Sequence, residues 1–132
     1  MAHRRPEADD LVHEIGQRIL TDESYAERGW TGIALVIEVG TRQRMYGFVY
    51  TADDWEAETP HDFDIITRTA DLAQLMADDG DHWTRCLVQI TRPQPTVTIR
   101  FDVTGTADWA VTPSNHAEMV EALNVLMEMA AV

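Results

Sequence analysis

The sequence contains a single cysteine, Cys86, and no lysine; its ten basic residues are all arginine. One cysteine excludes an internal disulfide and a cysteine-based zinc site. Cys86 falls in an apolar stretch of strand character, where a buried, unreactive thiol is expected. No apolar run approaches the ~18 residues that a membrane-crossing helix needs. The segment from Met1 to Asp10 lacks the apolar core of a secretory signal, so a cytoplasmic location is expected. The motifs G-x-S-x-G, G-x-x-x-x-G-K-[ST] and G-x-G-x-x-G are absent, which removes the familiar nucleophile elbow and phosphate cradles. Basic charge is scarce overall: 23 acidic residues stand against 10 basic ones, for a net charge of -13. Such a surface argues against nucleic acid and anionic membranes as direct partners, since both need cations opposite their phosphates. It fits a basic protein partner.

What is present describes one α+β domain. A chain of 132 residues supports one core and is too short for two ordinary domains. Pro6 suits a first helical turn, and Leu11, Val12, Ile15, Ile19 and Leu20 recur at helical spacing, predicting a helix over about 7–21. Trp30 to Val39 reads as a strand with Ile33, Leu35, Ile37 and Val39 on one face. A polar turn over 40–44 joins it to a second strand, Met45 to Thr51, as an antiparallel hairpin. Residues 53–62 read as an acidic loop. A helix follows, its apolar side traced by Ile65, Ile66, Leu72, Leu75 and Met76; Asp62 or Asp64 is its expected cap, and Gly80 its stop.

Trp83 to Thr91 is the third predicted strand, and Pro93-Gln94-Pro95 a rigid turn. In Thr96 to Thr104, apolar and polar residues alternate, which predicts a sheet with one wet face. Trp109 to Val111 offers a short further strand. Asn115 and Glu118 resemble a capping box at the start of a last helix. The expected fold is therefore α+β: an antiparallel sheet of four to five strands with helices mainly on one face, in the order α-β-β-α-β-β-(β)-α, and residues 1–6 frayed.

Candidate chemistry is sparse. None of the histidines, His3, His13, His61, His82 and His116, pairs at the spacing of a helical zinc motif. The cluster Asp78-Asp79-Gly80-Asp81-His82 lacks the ligand spacing and distal glutamate of a calcium loop. No catalytic residue, metal or cofactor is expected. An enzyme built on the Asp78 to His82 cluster is the remotest of the functional readings.

Charge distribution says more. Residues 53–83 hold ten acids and one base, Arg68, which is -9 of the total -13. Within this tract Asp53, Asp54, Glu56, Glu58, Asp78, Asp79 and Asp81 are the expected partner-binding carboxylates, with Trp55 as an aromatic anchor. The last helix has an apolar excess, including Met119, Met127 and Met129, that serves either as core filler or as a dimer face. Monomer and homodimer both remain open.

Several segments together resemble one family. A leading helix precedes a tryptophan-opened strand, Trp30 with ALVIEVG over 34–40. Its hairpin partner, RMYGFVYT over 44–51, ends in an aromatic. After the acidic linker and helix come Trp83-Thr84, then a strand containing Ile99-Arg100-Phe101-Asp102, with Trp109 soon after. Over residues 10–126 this pattern is similar to the YezG-like immunity proteins, the antitoxins of bacterial polymorphic toxin systems. It departs from that pattern between Gly105 and Pro113, where the acidic segment is reduced to Asp102 and Asp108. The resemblance implies a non-enzymatic inhibitor of a cognate toxin, often a nuclease. Such a toxin is basic where it holds its substrate, and an acidic inhibitor covers that surface. The alternative class is a dimeric secretion chaperone of the class I type III or YbjN-like kind, binding an effector segment.

Overall fold

The computed structural model describes residues 6–25, 29–51, 54–92, 96–103, 119 and 121. In chain order the described elements are α1 (Pro6–Leu20), β1 (Gly32–Val39), β2 (Gln43–Tyr50), β3 (Trp55–Ala57), α2 (Asp64–Asp78), β4 (Arg85–Thr91) and β5 (Thr96–Phe101). The α+β class and the antiparallel sheet are as the sequence predicts. One element was not expected: the acidic loop contains a strand, β3. The order is thus α-β-β-β-α-β-β among the described residues. Pro93 to Pro95, the strand expected at Trp109 to Val111 and the cap at Asn115 and Glu118 lie outside the described residues.

All strand pairs are antiparallel and run in the order β3-β2-β1-β4-β5. The central strand β1 pairs Gly32 with Tyr50 on β2 and with Thr91 on β4. At its other end Glu38 lies opposite both Arg44 and Arg85.

Both described helices cover one face of this sheet. Ile15 and Ile19 of α1 and Ile65, Leu72 and Met76 of α2 bury against Ile33, Leu35, Ile37, Val49, Cys86, Val88 and Ile90. Helical spacing on one side and period two on the other supply these two surfaces. The helices run antiparallel: Arg18 near the end of α1 reaches Asp62 at 2.9 Å, before α2 begins, while Arg68 reaches back to Glu14 at 2.7 Å. Gly16 sets how closely α1 approaches β5, since a Cβ there would stand 3.3 Å from a Val97 methyl.

The second face corrects the expectation of a wet side. Ala34, Val36, Phe48, Tyr50 and Leu87 are buried there together with Met119. Seven of the eight β1 residues are buried, which is what the near-continuous apolar run GIALVIEV indicates. Met119 is thus core filler. Cys86 is free and buried, and burial pushes its thiol pKa up to about 12.

Two corrections are local. The cap position of α2 is Phe63, which makes no side-chain cap bond; Asp62, one residue earlier, accepts the Asp64 N–H at 3.0 Å. Gly80 ends the helix as expected, with φ of +95°, a conformation that glycine adopts without steric cost.

Candidate functional site

The partner-binding residues expected from the sequence fall into two groups. Asp53 lies outside the described residues. Asp54, Trp55, Glu56 and Glu58 lie on and beside β3, at one edge of the sheet. The loop entering β3 closes on itself: Thr51 N–H donates to the Asp54 carbonyl at 2.9 Å, and the Asp54 carboxylate accepts the Trp55 N–H at 2.8 Å. Pairing to β2 then fixes the side chains. Trp55 lies opposite Tyr50, Glu56 opposite Val49 and Ala57 opposite Phe48. Glu58 extends the pairing by donating its N–H to the Gly47 carbonyl at 3.1 Å.

Because paired residues share a face, Trp55 stands on the second side of the sheet. Its ring meets Phe48 edge to face at 5.7 Å, and Phe48 meets Tyr50 at 6.3 Å. Trp55 remains 37% exposed. It is therefore an aromatic held on one side by Phe48 and partly open to solvent, while Glu56, paired with Val49, falls on the opposite face. Asp54, Trp55 and Glu56 line a hollow of about 350 Å³ with Gly29, Val49 and Thr51.

Asp78, Asp79 and Asp81 form the second group. Asp78 accepts from Gln74 at 3.2 Å, and Asp81 N–H reaches back to the Met76 carbonyl at 2.9 Å. Asp78 and Asp79 are exposed and Asp81 is half-buried. This turn leads into β4 at the Glu38 end of the sheet, whereas β3 pairs at the Tyr50 end of β2. The points of attachment are thus separated by about 20 Å along the strands and by two intervening strands. One continuous sequence tract becomes two acidic regions at opposite ends of the sheet.

Two carboxylates that charge counting does not single out are more constrained than either group. Glu38 accepts from Arg44 at 2.8 Å, from Tyr46 Oη at 2.7 Å and from Arg85 at 3.1 Å. Burial raises its pKa, the bonds from Arg44 and Tyr46 outweigh that, and the net shift is downward. Burial and the same contact push the Tyr46 hydroxyl up to about 12. Asp22 accepts backbone N–H groups from Ser24, His61 and Asp62 at 2.9, 3.0 and 2.9 Å. Here too burial opposes, the backbone donors prevail, and the pKa falls. The only sequence signal for Glu38 is an acid inside an apolar strand, facing arginines on both neighbouring strands.

A groove of about 600 Å³ opens between β2, the β3–α2 connection and α2. Beside it His61 Nδ1 stands 2.7 Å from a Glu23 carboxylate oxygen, which raises the imidazole pKa. His13, His61 and His82 are exposed; His3 and His116 lie outside the described residues. Among the described residues no group of three or more His, Cys, Asp or Glu side chains is arranged to hold a metal ion, and no helix is long and apolar enough to cross a membrane.

No protein-family model matches this chain, and no curated protein matches it.

Proposed function

We propose that this chain is a non-enzymatic acidic binding protein that neutralises a basic protein partner, in the manner of an immunity protein. The observation that carries the reading is the β3 edge: an exposed Trp55 seated on Phe48, on a short segment that also carries Asp54, Glu56 and Glu58. A rigid aromatic flanked by like charges is a good anchor for a cationic surface. Its supports contribute in two ways. Hydrogen bonding to β2 fixes the strand, so the ring is presented at little entropic cost. The overall charge of -13 draws a cationic partner in from a distance. The resemblance to YezG-like immunity proteins names a partner class, a cognate toxin, and a consequence, exclusion of the toxin's substrate. The carboxylates at Asp78, Asp79 and Asp81 contribute to the approach, and the β3 edge makes the contact.

The experiment is a pull-down from the native lysate with the tagged chain and with the Asp54→Arg/Glu56→Arg/Glu58→Arg variant, washed at rising salt. The expected result is one basic protein retained by the parent, released by salt and lost by the variant. Equal retention by both proteins would remove the β3 edge from the interaction.

A further inference from the structure

The edge of β2 is covered along only part of its length. β3 pairs with Phe48, Val49 and Tyr50, and Glu58 adds one bond at Gly47. No described strand lies against the edge from Gln43 to Tyr46. The direction of the backbone groups there follows from two bonds. The Gly47 carbonyl accepts from Glu58 on the outer side, and the Tyr50 carbonyl accepts from Thr31 on the β1 side. Backbone groups alternate along a strand, and the β1–β2 register is unbroken from Tyr50 to Gln43. Gln43 and Met45 therefore turn their N–H and C=O groups outward, as Gly47 does. These groups have no backbone partner on that side among the described residues.

The groove of about 600 Å³ lies at this same place. Its apolar lining includes Met45, Pro60, Phe63 and Ile66. Phe63 is 75% exposed on its rim, an unusual position for so large an apolar ring. An outward row of backbone donors and acceptors beside an apolar groove is the recognition geometry of strand addition: main-chain bonds give affinity, and the groove selects alternate side chains. The lining itself carries Arg44 and His61 and no carboxylate; the charge that selects the occupant stands beside it. Glu23 pairs with His61 on the groove wall, and Glu58 also acts on that imidazole. Arg44, the cation among the lining residues, is engaged by Glu38 at 2.8 Å.

We propose that the β2 edge from Gln43 to Met45 takes up an extended segment of the cationic partner, adding it to the sheet beyond the reach of β3. One aliphatic or aromatic side chain of that segment enters the groove between Met45, Pro60, Phe63 and Ile66. Flanking basic side chains meet Glu23 and Glu58. This rests on the reading of the partner as a basic protein, and adds how part of that partner is held.

The test uses the full chain and a short synthetic peptide alternating arginine with valine and leucine, followed by amide correlation spectra and amide hydrogen exchange. A second peptide has the same sequence with alternate backbone nitrogens methylated, so charge and side chains are kept while strand pairing is blocked. The expected result is that the first peptide shifts and protects the Gln43 and Met45 amides and binds at least about fivefold more tightly than the methylated one, the equivalent of one net hydrogen bond. Gln43→Pro deletes an outward N–H at the first residue of the strand, where proline is tolerated, and should lower affinity by about fivefold. Thr67→Arg changes an exposed groove residue and should abolish the groove contact; unaltered spectra elsewhere establish that each variant folds. Equal binding of the two peptides, with shifts confined to β3, overturns strand addition and leaves the cationic-partner reading standing. Absence of binding by either peptide at low salt overturns both. Protection of the same amides that rises with protein concentration alone would assign the edge to a second copy and overturn the partner segment.

Discussion

The carboxylate of Asp22 accepts the backbone N–H of His61 at 3.0 Å, tying the turn after α1 to the segment that enters α2. Ser24 and Asp62 donate to the same carboxylate, so one side chain sets the geometry of two loops. Asp22→Asn keeps the size but trades acceptor capacity for an amide donor facing N–H groups. A loss of about 1–3 kcal/mol is expected. The folded pKa of Asp22 is lowered, so its stabilisation is present above the unfolded value of about 3.9 and is lost as pH falls through the folded value. The stability gap between parent and variant, measured by urea unfolding, should be full near neutrality and shrink below pH about 4. A gap unchanged at low pH would show that the charge does not matter.

Glu38 and its arginines make a second, separable prediction. Arg44, Glu38 and Arg85 form one cross-strand row on three adjacent strands, and Tyr46 closes it with a 2.7 Å bond. Glu38→Gln leaves two guanidinium groups with weakened acceptors at a largely buried position, at a cost of about 1–3 kcal/mol. Groups in contact do not act independently, so Arg44→Gln combined with Glu38→Gln should cost less than the two singly, by roughly 0.5 kcal/mol or more. Simple additivity in chemical denaturation would mean that the cross-strand row carries no coupling.

The elements with a strong period were legible in the sequence, and those fixed by distant partners were not. The α1 and α2 faces follow from the spacing of Ile15 with Ile19 and of Ile65 with Leu72 and Met76. β5 follows from Val97, Ile99 and Phe101. β3 has no such period: Trp55, Glu56 and Ala57 are all exposed, and they form a strand because β2 offers them an edge. The second sheet face was expected to be wet from the alternation in β5, and its burial under Ala34, Val36, Phe48, Tyr50 and Leu87 overturns that; the unbroken apolar run of β1 was the signal against it. The density of acid along 53–83 was countable, yet its division between two ends of the sheet depends on register, which composition does not contain. Asp22 and Glu38 were invisible as hubs because each gathers near and distant partners at once: His61 and Asp62 come to Asp22 from 39–40 residues away, and Arg85 to Glu38 from 47, beside Arg44 and Tyr46 at 6 and 8.

Gly47 shows the same limit at the scale of one atom. It lies on β2 in register with Leu35, and a Cβ built there would collide with the Ala34 carbonyl oxygen and stand 2.9 Å from the Leu35 Cα. Both are backbone atoms of the central strand and cannot step aside without parting the ladder. Gly47→Ala should therefore destabilise by about 3 kcal/mol or more, at the upper end of overpacking costs, despite the better strand propensity of alanine. A midpoint in urea close to that of the parent would disprove the close approach.

Cys86 should behave as a packing residue. Its side chain is 1% exposed and its pKa is pushed up to about 12, so little thiolate forms near neutral pH and little of it is reachable. An aromatic disulfide reagent should react with no thiol in the native protein at pH 8 and with one after denaturation. Native labelling at a rate proportional to reagent concentration would contradict this burial; a rate independent of concentration would report the opening of the core instead.

The electrostatic setting of Trp55 can be measured without any partner. Trp30 and Trp83 are buried, at 2% and 6% exposure, whereas Trp55 is 37% exposed. With Asp54, Glu56 and Glu58 on the same short segment as Trp55, the surroundings of the ring attract cations and repel anions at low ionic strength, over a Debye length of ~10 Å at 0.1 M salt. Caesium should quench the Trp55 contribution to the fluorescence more than iodide does. The Trp55→Phe variant should lose most of this caesium preference, and added sodium chloride should reduce it in the parent. The difference between parent and variant isolates Trp55 from the other tryptophans. An iodide preference in that difference would place cations, not carboxylates, around the ring and would remove the electrostatic basis for a basic partner at the β3 edge.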